Sequence, residues 1–248
     1  MLLSPANLRA IERLHVRAWP ALETAEIDGW LWRRSGGGSN RANSVSTVRF
    51  SGGDPEAALD AIEARYRARN AAARVSVYDL SEPAGLTERL KARGYTNNET
   101  TVTMVKSAAR REMPANVDVS DRPGDDWREV YLGAITENRR VINAEILKSI
   151  PQPCAFFTCR RDGRVISTGL CVADGGFAAI ECMATRAEAR RQGGAQSVLA
   201  GIEVWAGSQG VRTLALQAVS ANAPAIALYR GLDFAQVATN RFWVKDPT

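Results

Sequence analysis

The sequence predicts an α+β protein with two domains in tandem, residues 1–106 and 117–248, joined by a linker at 107–116. Three observations carry that expectation. Runs that alternate apolar and polar residues are interleaved with runs of helical period in both halves, which predicts sheets flanked by helices. Asp162-Gly163 and Gly175-Gly176 turns separate three strand-like runs of the second half, as expected of an antiparallel meander. The halves also end alike. "LTERLKARGYTNNETTVTMV" in the first is echoed by "AIALYRGLDFAQVATNRFWV" in the second, and the shared order of elements points to a distant duplication.

In chain order, Ser4-Pro5 is a helix start, and Leu8, Ile11 and Leu14 mark one face as far as residue 18. Residues 27–34 ("IDGWLWRR") and 41–50 ("RANSVSTVRF") read as strands around the Gly36-Gly37-Gly38 turn. Asp54-Pro55 opens a helix to about residue 70, with Asp54 as cap. A strand at 74–78, a helix at 84–93 stopped by Gly94, and a strand at 99–106 complete the first half. The polar, aperiodic 107–116 follows. The second half begins with helices at 127–138 and 143–150, ended by Pro151 and Pro153. Strands are expected at 154–160, 164–173 and 177–185, then a helix from about residue 195. A strand at 212–218, a helix at 223–230 and a strand at 234–245 close the chain.

At 248 residues the chain can bury one large core or two ordinary ones, and 45% hydrophobic with 24% charged residues is a globular composition. A net charge of +5 suits an anionic ligand, but the basic residues occur as isolated pairs, which argues against a nucleic-acid partner. None of Cys154, Cys159, Cys171 and Cys182 forms a C-x-x-C pair, and only one histidine is present. Reduced thiols and a cytoplasmic location are therefore expected, with no metal site. The amino-terminal residues carry Arg and Glu at helical intervals, unlike a signal peptide, and no apolar run is long enough to predict a membrane span.

"RRQGGA" (Arg190, Arg191, Gln192, Gly193, Gly194, Ala195) lies between a strand end and an amphipathic helix. The first amides of a helix are unpaired and lie at its positive pole, so a phosphate-bearing ligand suits this position; a tight turn that needs glycine, with solvated arginines, is the other reading. No Gly-Lys-Ser/Thr loop is present, and no G-x-G-x-x-G follows a first strand, which disfavours an NTPase or a dinucleotide oxidoreductase. A second motif lies downstream: an apolar strand, Asn222, then a helix carrying Ala225 and Tyr229, then Phe234. With these two motifs in order, residues 117–245 resemble the GNAT superfamily of acyl-CoA-dependent N-acetyltransferases. Arg190, Gly193 and Ala195 match its R/Q-x-x-G-x-G/A motif, and Asn222, Ala225 and Tyr229 match N-x-x-A-x-x-x-Y. "GWLWRR" and "RANSV" are similar to the degenerate first repeat of tandem members. Asp233 stands where a Gly usually precedes the terminal Phe, at a position expected to be left-handed. The first half has "SGGDPEAA" in place of the phosphate motif, and Asp54 and Glu56 would repel a pyrophosphate.

The resemblance implies two GNAT-like domains, each a mixed, mainly antiparallel sheet flanked by helices, the second catalytic, and an acetyl-CoA co-substrate. The pyrophosphate would sit on the amides of Arg190, Arg191, Gln192, Gly193, Gly194, Ala195 and Gln196. The pantetheine would run along Met183, Ala184 and Thr185 as an added strand and hydrogen-bond to Asn222 beside Ala225. The Met183 backbone would polarise the thioester carbonyl, and Tyr229 would protonate the departing thiolate. Strand alternation puts Glu181 on the face of Ala179 and Met183, where it could act as a base or steer a cationic amine; a salt-bridged Glu is the other reading. Cys182 is expected on the opposite face, which disfavours an acyl-cysteine route. The single histidine, His15, is expected to be packed or exposed rather than catalytic. The implied reaction is direct transfer to a primary amine of a small molecule or peptide, without a metal. The rival readings are a catalytically silent acyl-CoA sensor or interaction module, and a nucleic-acid-associated protein.

Overall fold

The computed structural model describes residues 3–109 and 112–246. Arg110 and Arg111, inside the expected linker, lie outside that range.

Ser4 caps α1 (Pro5–Ala18), its hydroxyl accepting from the Asn7 amide at 3.2 Å. The strand expected at 27–34 is instead a hairpin, β1 (Glu23–Ile27) and β2 (Trp30–Arg34), turning at Asp28-Gly29, both with positive φ. That Asp-Gly was a legible turn signal. The strand expected at 41–50 shrinks to a 3-10 turn (Asn40–Asn43) and a two-residue β3 (Val45–Ser46). Next come α2 (Pro55–Arg67), capped by Asp54 through the Glu56 amide at 2.9 Å, β4 (Ala73–Tyr78), α3 (Leu86–Ala92) and β5 (Thr96–Ser107). A short β6 (Val117–Ser120), not anticipated, precedes α4 (Asp125–Gly133) and α5 (Glu137–Leu147). The expected meander follows as β7 (Cys154–Arg161), β8 (Arg164–Asp174) and β9 (Phe177–Thr185). The chain closes with α6 (Gly194–Ser208), β10 (Thr213–Val219), α7 (Ala223–Gly231) and β11 (Ala235–Lys245). Asp233, after α7, has φ of 67°, the left-handed conformation expected there.

The fold is α+β with helices flanking a mixed sheet, but the strands expected in two sheets form one. Its eleven strands run β1-β2-β3-β4-β11-β5-β10-β9-β8-β7-β6. Among the described residues only β3 with β4 and β9 with β10 pair in parallel. The last strand of each half pairs with the other: β11 lies between β4 and β5, and β5 lies between β11 and β10. Both read alike in sequence, so local pattern could not say which berth each would take.

One core lies between α6, α7 and the sheet, with Val198, Ile202, Leu214 and Phe234 in it. A second gathers Trp127 and Ile146 from α4 and α5 with Leu14 and Ala18 from α1. The first helix of the chain therefore covers strands of the second half, and Ile11 packs with Val105 of β5 and Ala215 of β10. A third core collects Trp30, Trp32, Leu59, Ile62 and Tyr66 with Trp243 of β11. No helix among the described residues is long and apolar enough to cross a membrane.

Candidate functional site

The parallel pairing of β9 with β10 runs from Phe177↔Thr213 to Ile180↔Leu216 and stops there. Beyond Ile180 that edge of β9 has no strand beside it, and β10 continues beside β5 alone. Unpaired backbone at a sheet edge is a template for another extended chain. A cleft of about 630 Å³ occupies the gap. It is lined by Met183, Ala184 and Thr185 of β9, by Arg190, Arg191 and Gly193–Gln196 at the entrance to α6, and by Asn222, Ala225, Leu228 and Tyr229 of α7. Two arginines and no carboxylate are among these described lining residues.

Each glycine of "RRQGGA" has its own physical reason. Gly193 has φ of 82°, a conformation that other side chains adopt at a cost. At Gly194 a Cβ would lie 2.5 Å from the Ser167 hydroxyl, so the absent side chain lets α6 approach β8. The first turn of α6 borders the cleft beside two exposed arginines, Arg190 and Arg191. Gln192, expected to offer its backbone amide, turns its side chain away to bond Arg161 at 2.5 Å and the Glu188 carbonyl at 3.1 Å, and is not among the cleft-lining residues.

On α7, Asn222 caps the helix, its side-chain oxygen accepting from the Ala225 amide at 3.3 Å, while the residue also borders the cleft. Tyr229 is 8% exposed and stands edge-on to Phe234, with centroids 5.9 Å apart. Burial, with a smaller contribution from the Glu181 charge, pushes its phenol up to about 12, so it carries its proton at neutral pH. Thr185 spends its hydroxyl on Ser167 at 2.7 Å.

Glu181 is not on the face of Met183. The register between β8 and β9 slips between Thr168↔Ala184 and Leu170↔Glu181, and Cys182 at the slip has φ of 53°. The bulge turns two successive side chains to one face. Glu181 and Cys182 both face α1 and α4, while Met183 packs on the α6 side. The Glu181 carboxylate, 3% exposed, is bound by Arg41 at 2.8 and 2.7 Å and by His15 at 3.1 Å. Burial alone would raise its pKa, but the Arg41 charge and the His15 hydrogen bond outweigh burial and lower it to about 2. That ion pair favours the salt-bridged reading of Glu181 over a base role. Cys182 is not on the opposite face from Glu181, but burial raises its thiol, which keeps it a poor nucleophile. The sequence reading missed Arg41 and tied His15 to nothing. Partners 140 and 166 residues away in the chain leave no local signal.

A family model described as "Probable histone acetyltransferase Rv0428c C-terminal" matches residues 5–243. An uncharacterized N-acetyltransferase, YobR of Bacillus subtilis (strain 168), is 24% identical over 250 residues, covering 96% of this chain and 99% of that protein. Among solved structures, a GCN5-related N-acetyltransferase from Kribbella flavida superposes with a TM-score of 0.68 at 18% identity, covering 97% of this chain and 95% of its own. A tandem GNAT protein from the clavulanic acid biosynthesis pathway does so with a TM-score of 0.65 at 12% identity, covering 96% and 88%. With the family match spanning nearly its whole length, the chain belongs to that acetyltransferase family and is an acyltransferase of the GNAT superfamily.

Proposed function

We propose that the protein transfers an acetyl group from acetyl-CoA to a primary amine of a small molecule or peptide by direct attack. The observation that carries this reading is the cleft left where β9 parts from β10, basic at one end and bordered by Tyr229 at the other. Its residues fit the co-substrate. A diphosphate suits the free amides of α6 flanked by Arg190 and Arg191, and the pantetheine's amides suit the open edge at Met183, Ala184 and Thr185. When bound, acetyl-CoA supplies the activated thioester. The Met183 amide is assigned to polarising its carbonyl, and the phenol of Tyr229 to giving a proton to the departing sulfur. Asn222 borders the same path. With Glu181 locked in its ion pair and no carboxylate lining the cleft, the amine gives up its proton to water. Alkyl amines near pKa ~10.4 are mostly protonated at neutral pH, so turnover rises with pH.

The sheet supports a further part of the reading: residues 1–106 and 117–248 are two GNAT-like repeats, joined at 107–116, that have exchanged their closing strands. The matching places of β3-α2-β4-α3 and β9-α6-β10-α7, each with a parallel pair, favour it. The second repeat is catalytic.

Calorimetry with acetyl-CoA, followed by thiol-release assays across small amines, amino acids and peptides, tests the reading. Saturable binding with release by one class supports it. Binding without release by any amine favours the acyl-CoA sensor, and no binding removes both.

A further inference from the structure

The ion pair under the bulge is built from both halves of the chain. Arg41 sits in the 3-10 turn after β2 and reaches both oxygens of Glu181 with separate guanidinium nitrogens, at 2.8 and 2.7 Å. His15, on α1, adds a third bond through Nδ1 at 3.1 Å. The carboxylate and the imidazole side chains are 2% and 1% exposed, while that of Arg41 is 25% exposed. A buried ion pair is weak evidence of stabilisation, since an apolar replacement of similar volume often serves as well. Its attested use is to specify one arrangement among several, and here the arrangement is a register. A bulge can sit at more than one place along a strand, and moving it by one residue turns the residue between the two places to the other face while those beyond keep theirs. Were the bulge to form before Glu181, the carboxylate would turn into the apolar layer of Val198 and Ile202 with no partner. With Glu181 clamped toward α1, the bulge falls on Cys182, directly before the Met183 backbone that borders the cleft.

We propose that Arg41 and His15 are positioning residues: by clamping Glu181 they fix the Cys182 bulge, and with it the Met183 backbone, so that the first half of the chain completes the acyl site of the second. The function assigned to that site rests on the acetyl-CoA reading above, but the clamp itself can be measured without any ligand.

The test is a heteronuclear NMR spectrum of the full chain labelled with ¹⁵N-methionine. Met183 is the reporter, and Met104, buried in β5 away from the bulge, is the control. In Arg41→Ala the Met183 amide should shift or split while Met104 stays in place. Added guanidinium ion, which can enter beside the part-exposed site, should return Met183 toward its original position, and Arg41→Lys should shift it less. His15→Ala should move it in the same sense. Acetyl-CoA titrated into Arg41→Ala should need about tenfold more to saturate than in the parent. A Met183 signal unmoved in Arg41→Ala, or unmoved in Arg41→Lys if the alanine variant does not fold, overturns the proposal. So does a shift of Met104 as large as that of Met183, which would make the pair a general support of the fold. A parent protein whose Met183 ignores acetyl-CoA would remove the acyl-donor reading and leave the clamp result standing.

Discussion

β3 and β9 begin alike and end in opposite states. Each pairs in parallel with the strand that follows its helix, through Val45↔Val75 in one and Phe177↔Thr213 in the other. After β9 the edge stays open and the cleft forms. After β3 the same space is filled. The Thr47 hydroxyl bonds the Ser76 carbonyl at 2.6 Å and Ser81 at 2.7 Å, and the Glu82 amide donates to the Thr47 carbonyl at 3.0 Å. Phe50 donates its amide to the Glu82 carboxylate at 3.2 Å and stacks on Trp30 with centroids 4.8 Å apart. The helix entrances differ in the same sense. α2 starts with Asp54 and Glu56, whereas α6 starts behind Arg190 and Arg191. One arrangement of strands and helices thus gives a sealed acidic entrance or an open basic one, and the loops decide which.

The contrast can be broken most directly at the open entrance. Gly193→Glu places a carboxylate there and should weaken acetyl-CoA binding by at least about a hundredfold, roughly 2.7 kcal/mol, by calorimetry. The left-handed backbone adds a stability cost of about 1–2 kcal/mol, visible as a lower melting temperature. Unchanged affinity would mean that the α6 entrance is no more a diphosphate site than the α2 entrance. Tyr229→Phe keeps the ring against Phe234 and should lower kcat about a hundredfold, with acetyl-CoA affinity within about twofold. Full turnover in that variant removes Tyr229 from the proton path. Arg190→Ala combined with Arg191→Ala should cost about tenfold in affinity at low salt and less as salt rises, because exposed charges are screened. The sealed side makes the smallest prediction. Asp54→Ala should destabilise the protein by about 1 kcal/mol through loss of a cap and leave acetyl-CoA binding untouched.

The clamp between the halves adds a pH dependence. Glu181 has its pKa lowered from an ordinary 4.5 to about 2, so the folded state binds its proton less readily than the unfolded chain does. Its contribution to stability is complete above about pH 4.5 and is lost as pH falls toward 2. The denaturation midpoint of Glu181→Gln should therefore vary less across that window than that of the parent. Equal slopes would sever the carboxylate from the pH response.

Much of the cleft could be read in order along the chain. The motifs at 190–195 and 222–229 are local, and both border the cavity because each sits at the start or along the length of a helix that follows a strand of the same parallel pair. Glu181 was placed on the wrong face because alternation assumes an unbroken strand, and a single residue at Cys182 with positive φ breaks it. Gln192 could not be placed from its motif, since its partner Arg161 comes from the end of β7. β6 passed unseen because a four-residue edge strand with one buried side chain carries little pattern.

The amino-acid sequence by itself determined the alternation of strands and helices, the caps at Ser4, Asp54 and Asn222, and the basic, glycine-marked start of α6. These depend on residues a few positions apart, where propensity and hydrogen-bonding range suffice. Only the tertiary structure decided that β5 and β11 pair with each other in one sheet, that α1 covers the second half, and that Arg41 and His15 meet Glu181. Those outcomes depend on groups more than a hundred residues apart in the chain, which no local rule relates until the sheet has brought them within a hydrogen bond of each other.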